Sequence, residues 1–308
     1  MRPTFLALLT LTFPLLAQNT PRQFELKAES PKFWQLLDSA AKLDKVGTGF
    51  GFTEGPVWDA RGKFVYVSDE EQNKISRVFP DGRVETFLEV VDPDGAAFDS
   101  RGRLIVCESR PRKIIAVNPA DAKYTVLATT FEGKKLNSPN DVVLGPDGAL
   151  YFTDPNLDLP KGETQELPYQ GVFRMTADGA LKLLTKELEE PNGLAFSPDG
   201  KRLYVDDTRT REIHVYDFAK GELRNGRLFA KADQSGPRGG PDGMKVDHKG
   251  NLFVTVPLGV SVWDPEGHHL GTIVMPEGPA NLAWGGPKLS TLYITARKSV
   301  YRIETKTH

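Results

Sequence analysis

Short apolar stretches alternate with turn residues along almost the whole chain. Six of them are rich in β-branched and aromatic residues and follow a turn, at 61–69, 101–109, 147–154, 199–207, 249–256 and 289–296. A second strand pattern precedes each stretch and a third follows it, and in five of the six units a fourth comes next. Strand patterns repeated in this way predict an all-β fold, a six-bladed β-propeller with four-stranded antiparallel blades.

The sixth unit ends at the chain terminus without a fourth strand. The segment 43–49 (LDKVGTG), upstream of the first unit, can supply that strand and close the ring. Closure protects an edge that an open array would expose. We therefore expect one propeller domain over 43–308, after an extension (18–42) with a short helix at Pro31–Ala41. A sandwich of irregular hairpins is the alternative, and six matched units with one complementary gap disfavour it.

The first seventeen residues differ in character from the rest. Arg2 is followed by an apolar run from Thr4 to Ala17, and then by polar residues beginning at Gln18. This order is typical of a secretory signal peptide, and the run is too short to span a bilayer. No cysteine follows it directly, so we expect no stable membrane anchor. We expect residues 1–17 to be cleaved and the mature protein to be periplasmic or secreted.

The charges and the single cysteine exclude several classes of protein. With 39 basic and 41 acidic residues the net charge is −2, and no run of like charges suggests a nucleic-acid partner. Cys107 lies in an apolar run, so we expect it to be buried and inert, with no disulfide. We expect a small-molecule substrate and a monomer or a weak dimer.

One polar residue per unit falls at the start of the innermost strand. Counting eight positions back from the hairpin glycine finds it in five units, and an alignment of Leu292 with Leu203 finds the sixth. All six are acids or amides that would face the central channel: Glu54, Asp94, Asn140, Asn192, Asp242 and Asn281. Carboxylate and amide oxygens suit Ca²⁺, whereas softer metals prefer His and Cys. We expect Ca²⁺, with Zn²⁺, Mn²⁺ or Mg²⁺ as alternatives. Ordinary turn formation by Pro-Asp-Gly and Pro-Asn-Gly is the competing interpretation.

Several motifs around these residues resemble the gluconolactonase branch of the regucalcin-like family. The resemblance runs from about residue 43 to residue 304 and rests on five segments: Glu54–Trp58, Leu136–Val142, Tyr151–Pro155, Pro191–Ser197 and Pro241–Met244. The family also contains luciferin-regenerating enzyme and diisopropyl-fluorophosphatase. The resemblance implies a six-bladed propeller with one catalytic divalent cation, commonly Ca²⁺.

The resemblance also implies roles for single residues. Glu54, Asn192 and Asp242 would be metal ligands, Asn140 a fourth ligand or a substrate contact, and Asp242 the base or nucleophile. Asp94, where related sequences often have Asn, and Asn281 would line the channel and contact substrate, as would Asp154.

We therefore expect a metal-dependent hydrolase that opens a sugar lactone. The sequence contains no G-x-S-x-G motif, which disfavours a serine esterase. Hydrolysis of another ester or of an organophosphate, and a non-catalytic Ca²⁺-binding propeller, remain alternatives. Long loops on the channel face would carry specificity, with Leu157 and Tyr169 as candidate wall residues.

Overall fold

Antiparallel sheets make up nearly all of the fold. The computed structural model describes residues 22–233 and 239–307, so the predicted signal peptide (1–17) lies outside the described residues. The described chain begins with β1 (Glu25–Ala28), α1 (Phe33–Leu36) and β2 (Leu43–Thr48). Among the described residues no helix is long and apolar enough to cross a membrane.

The first three blades follow one another along the chain. Blade one contains β3 (Thr53–Asp59), β4 (Phe64–Asp69), β5 (Lys74–Val78) and β6 (Val84–Glu89). Blade two contains β7 (Pro93–Phe98), β8 (Leu104–Glu108), β9 (Lys113–Val117) and β10 (Tyr124–Ala128). A separate hairpin, β11 (Thr130–Phe131) and β12 (Lys134–Lys135), precedes blade three. Blade three contains β13 (Val142–Leu144), β14 (Leu150–Asp154), β15 (Gly171–Met175) and β16 (Leu181–Thr185).

The other three blades complete the ring. Blade four contains β17 (Pro191–Phe196), β18 (Arg202–Asp207), β19 (Glu212–Ala219) and β20 (Glu222–Lys231). Blade five contains β21 (Met244–Val246), β22 (Leu252–Val256), β23 (Gly259–Trp263) and β24 (His269–Val274). Blade six contains β25 (Pro279–Gly285), β26 (Thr291–Ala296) and β27 (Ser299–Glu304). Its fourth strand is β2, which pairs with β27 from Leu43 opposite Ile303 to Thr48 opposite Ser299. The predicted six-bladed fold and its closure are confirmed.

The N-terminal extension is more integrated than its sequence suggested. Strand β1 pairs with β24 and becomes a fifth strand of blade five. The predicted helix at Pro31–Ala41 is reduced to the single turn of α1, because Leu37 is already extended and Asp38 Oδ1 accepts a hydrogen bond from the Ala40 amide. The extension nevertheless contributes to a core: Phe33, Leu36 and Leu37 are buried in a cluster with residues of blades five and six.

Each blade is tied to a neighbour by a Ser or Thr hydroxyl that donates to a main-chain carbonyl. These bonds are 2.6–3.1 Å long and run Ser68 to Asp94, Ser109 to Pro139, Thr153 to Asn192, Thr208 to Pro241, Thr255 to Ala280 and Thr53 to Ser299. Five of the six carbonyls belong to predicted channel residues or to residues directly before them. The bonds therefore fix the starts of the innermost strands relative to one another.

Candidate metal and catalytic site

The structure brings the six predicted channel residues together. Four lie within the innermost strands β3, β7, β17 and β25, and the other two lie two residues before β13 and β21. All are buried except Asp242, which is partly exposed. Their side chains bond in pairs across blades: Asn281 Nδ2 donates to Glu54 Oε2 at 2.9 Å, and Asn140 Nδ2 donates to Asp94 Oδ2 at 2.8 Å. They are channel neighbours rather than independent surface turns.

Glycines after these residues allow the blades to approach closely. A Cβ placed on Gly193 would lie 2.0 Å from the main-chain oxygen of Asp242, and one on Gly55 would lie 2.1 Å from that of Asp94. Gly55 also has φ +46, a conformation that favours glycine. No other residue type fits between the blades here without backbone movement.

The carboxyls of the channel are strongly perturbed. Burial, followed by repulsion from Asp141, raises the pKa of Glu54 to about 7. Burial, followed by repulsion from Glu54, raises the pKa of Asp242 well above its usual range, and the neighbouring Asn192 amide acts in the opposite direction. Burial is also the main cause that raises the pKa of Asp94. The site therefore holds more carboxyl groups than it can keep ionised without a compensating positive charge.

Two further acids of this cluster were not predicted. Asp141 and Asp206 are both buried, and each has one carboxyl oxygen, Oδ2, without a hydrogen-bond partner. The carboxyl of Asp206 contacts the main-chain amide of Gly193 at 3.3 Å, and repulsion from Asp242 adds to the burial that raises its pKa.

Both acids break the repeat, and that signal could have found them. Asp141 follows Asn140, whereas glycine follows the corresponding residue in four other blades: Gly55, Gly95, Gly193 and Gly243. Asp206 lies three residues after Leu203 in the second strand of blade four. At the same position of the repeat, blades three, five and six have a threonine: Thr153, Thr255 and Thr295. A charged residue at a repeat position that is otherwise small or neutral is a candidate for function.

Asp154 has a different environment from the one predicted. Its side chain is fully buried, and Oδ2 accepts a hydrogen bond from the Asn137 amide at 2.8 Å. Asn137 Nδ2 returns a bond to the Asp154 carbonyl at 3.0 Å. Burial raises the pKa of Asp154 to about 8. Through these contacts Asp154 fixes the position of Asn137, in the loop that leads to Asn140. The predicted contact of Asp154 with substrate stays a prediction.

The cavity beside Asp242 is not the largest on the surface. It measures about 260 Å³ and is lined by residues of several blades, among them Phe52, Thr208 and Pro241. A larger groove of about 810 Å³ lies on blade three, where Lys186 Nζ is 5.3 Å from the ring centre of Tyr169. The smaller cavity is the one next to the channel acids. Tyr169 lines the larger groove, and its predicted contact with substrate stays a prediction.

A second acidic group lies elsewhere and is already satisfied. Within residues 22–233 and 239–307, Asp264, Glu266 and His268 form a group whose possible ligand atoms lie within 4.8 Å of one another. Asp264 Oδ2 accepts from Lys32 Nζ at 2.9 Å, and Asp264 Oδ1 accepts from the His268 amide at 3.0 Å. This turn between β23 and β24 is separate from the channel.

The channel donor set fits a hard divalent cation. Glu54 and Asp242 offer carboxylate oxygens and Asn140 and Asn192 offer amide oxygens, which is the chemistry that Ca²⁺ prefers. Lys245 Nζ, 3.4 Å from Asn281 Oδ1, is the nearby cation that lowers the pKa of Glu54 and Asp141. Its effect on the pKa of Glu54 is the smallest of those that act on this carboxyl, so Lys245 offsets little of the negative charge.

Comparison with known proteins places the chain in a family. The model of the SMP-30/Gluconolactonase/LRE-like region matches residues 52–298. The chain belongs to this family. The match covers the first strand of blade one through the hairpin turn of blade six, and therefore all six channel residues of this SMP-30/gluconolactonase-like protein.

Relatives extend the similarity over most of the chain. A gluconolactonase from Zymomonas mobilis is 35% identical over 304 residues, which cover 90% of this chain and 85% of that relative. The solved structure of a gluconolactonase from Xanthomonas campestris is 32% identical, with a TM-score of 0.85 over 91% of this chain and 95% of the other. The solved structure of a calcium-binding regucalcin from Agrobacterium tumefaciens has a TM-score of 0.71 at 20% identity, over 85% of this chain and 93% of the other. This likeness shows the fold alone.

Proposed function

We propose that this protein is a lactonase that opens the ring ester of a sugar lactone with the help of one divalent cation. The observation that carries the proposal is the convergence of buried carboxyls and amides on one point of the channel, next to a cavity open to solvent. The gluconolactonases described above, at 35% and 32% identity, support the reaction type.

Glu54, Asn140, Asn192 and Asp242 would hold the cation. When bound, a divalent cation supplies Lewis-acid polarisation of a carbonyl and stabilises developing negative charge on its oxygen. Asp242 is the partly exposed acid of the set and lines the cavity, so its carboxylate can reach a water molecule or the substrate carbonyl there. It acts as general base toward water, or as a nucleophile by direct attack.

In the metal-free protein, the buried acids around Asp242 make its carboxylate more basic. Glu54 and Asp141 both raise the pKa of Asp242 by repulsion, in addition to burial. A base with an ordinary aspartate pKa would accept a proton from water poorly, because catalytic bases work best near the operating pH. In the metal-free channel Asp242 is therefore a stronger base than a surface carboxylate, and a bound cation would lower its pKa again.

Removing divalent ions should abolish turnover and change how stability depends on pH. The folded metal-free protein binds the Glu54 proton more tightly than the unfolded chain, whose pKa is near 4.5, because burial raises this pKa to about 7. The contribution of this bound proton to the free energy of unfolding is present below about pH 4.5 and is lost as the pH rises through about 7. With chelator the protein should therefore melt at a lower temperature at pH 8 than at pH 5.

Ca²⁺ added at pH 8 should raise the melting temperature and restore hydrolysis of the lactones in a panel that also contains aryl esters and phosphate triesters. Scanning calorimetry and a pH-indicator assay provide the two measurements. Full lactone turnover in chelator, with no divalent ion found by elemental analysis, would show that the site works without a metal. Turnover of the triesters alone would replace the lactonase assignment by an organophosphate hydrolase.

We also propose that the apolar N-terminal run directs export. The mature chain should begin near Gln18, and the protein should accumulate outside the cytoplasm, in the periplasm or the medium. Mass spectrometry of the natively produced protein measures its first residue, and recovery of intact Met1 from the cytosol would contradict export.

A further inference from the structure

Two arginines face the cavity beside Asp242, and the proposed reaction gives neither of them a task. Arg22 precedes β1, Arg297 lies in the turn between β26 and β27, and both line the cavity together with Asp242. Arg22 is half-buried, whereas Arg297 is exposed. Segments from opposite ends of the chain therefore bring two positive charges to one wall of the candidate active site.

The two guanidinium groups are held close together. A Cβ placed on Gly278 would lie 3.7 Å from Arg297 Nε and 3.8 Å from Arg22 Nη2, so both groups border the same small space. Burial, and then repulsion from Arg297, lowers the pKa of Arg22. Two like charges at this separation cost free energy unless something of opposite charge lies between them.

No carboxylate of the described chain fills that role. Within residues 22–233 and 239–307, neither arginine forms an ion pair. Arg22 Nη1 donates to the Pro257 carbonyl at 2.6 Å, and the Arg297 guanidinium lies 5.4 Å from the ring centre of Phe52. These contacts hold both side chains in place while leaving other N–H groups of each available. By contrast, Arg110 and Arg112, the arginines near blades two and three, are paired with Asp92 and Glu163.

One carboxylate close to the arginines is already occupied. Glu277 Oε1 accepts hydrogen bonds from Lys45 Nζ at 2.9 Å, from Ser299 Oγ at 2.8 Å and from Tyr301 Oη at 2.6 Å. A negatively charged group on the substrate is attracted by the arginine pair and repelled by the Asp242 carboxylate, which lines the same cavity. The charges therefore give a bound substrate a preferred direction in the cavity.

We propose that Arg22 and Arg297 form an anion subsite, and that the substrate is a sugar lactone that carries a carboxylate or a phosphate group. The inference rests on the proposed lactonase function and specifies its substrate class. Guanidinium groups bind both anions through paired N–H donors, so the two substituents share one recognition chemistry. Phe52 and the absence of a side chain at Gly278 shape the space into which the anion fits.

The test compares lactones that share a ring and differ in charge. Glucono-γ-lactone is neutral, glucaro-γ-lactone carries a carboxylate, and glucono-γ-lactone phosphorylated at its terminal hydroxyl carries a phosphate. We expect the Ca²⁺-loaded wild-type protein to hydrolyse one of the two anionic lactones with a higher kcat/KM than the neutral lactone. Which of them it prefers identifies the anion. Arg297→Gln should lower the ratio of anionic to neutral kcat/KM by about 10- to 100-fold, the range expected for a hydrogen bond to a charged group.

Matched variants separate the subsite from the overall charge of the protein. Arg61→Gln removes the same charge from an exposed turn at the far end of β3 and should leave the ratio unchanged. Gly278→Ala keeps both arginines and makes only ordinary contacts, but it fills the space between them, so it should also lower the ratio. Added salt should reduce the wild-type preference, because Arg297 is exposed.

A binding measurement distinguishes failure of this inference from failure of the lactonase proposal. Glucuronate and glucose contain no lactone and differ by one carboxylate, and calorimetric titration compares their affinities. Glucuronate binding that Arg297→Gln weakens, in a protein that hydrolyses no lactone, would retain the subsite and reject the lactonase. Lactone hydrolysis with an anionic-to-neutral ratio that is the same in wild type, Arg297→Gln and Arg22→Gln would overturn the subsite and retain the lactonase.

Discussion

Asp242→Asn should lose at least about 100-fold in kcat while the protein still folds and still binds Ca²⁺ at raised concentration. Asparagine keeps the shape of the side chain and one oxygen that can contact a cation. An amide cannot accept a proton from water or attack a carbonyl near neutral pH, and the loss expected is the lower end of a general-base contribution. The substitution therefore separates the proposed role of Asp242 as a ligand from its proposed role as a base.

Asn192→Ala is the comparison for this variant. It removes a proposed neutral ligand that is hydrogen-bonded to Asp242, so it should weaken Ca²⁺ binding first and recover part of its turnover when more Ca²⁺ is added. Steady-state kinetics across a Ca²⁺ titration distinguish the two variants. Full recovery of Asp242→Asn in excess Ca²⁺ would make Asp242 a ligand only, and Asp94, Glu54, Asp141 and Asp206 would become the candidate bases.

Gly193→Ala should destabilise the protein by about 3 kcal/mol and lower kcat/KM by at least about 10-fold. The added methyl group would lie 2.0 Å from the Asp242 carbonyl oxygen and 2.8 Å from Asp206 Oδ2. The nearer contact is with backbone, so relief requires blade four and blade five to move apart. That movement shifts Asp242 relative to Asn192, the residue directly before the substitution. Urea denaturation and steady-state kinetics measure the two effects.

The control is Gly278→Ala, where the nearest atoms would be 3.7 Å away and no backbone movement is needed. It should keep its free energy of unfolding within about 0.5 kcal/mol of wild type, as surface changes commonly do. If Gly193→Ala unfolds at the same urea concentration as this control, the close packing between the blades is not essential to the site.

The sequence alone determined the fold, the closure of its ring and the position of the channel acids. Local patterns were sufficient because every blade repeats the same order of strand and turn, and because strand pairing between neighbours in sequence is the main interaction within a blade. The repeat also placed Glu54 and Asn281 side by side although they are 227 positions apart. No spacing rule other than the repeat could have related residues so distant along the chain.

Tertiary structure decided what the repeat does not encode. The added strand β1, the shortened helix α1 and the space between Arg22 and Arg297 all depend on where the N-terminal extension packs, and that segment has no counterpart in the other units. Asp141 and Asp206 became visible as site residues only when burial and neighbouring charge could be measured. The position of Tyr169 in the groove on blade three depends on how a long loop packs, which no local pattern specifies. Repeated short-range pairing can be read along a sequence, whereas unique long-range packing and electrostatics require the folded molecule.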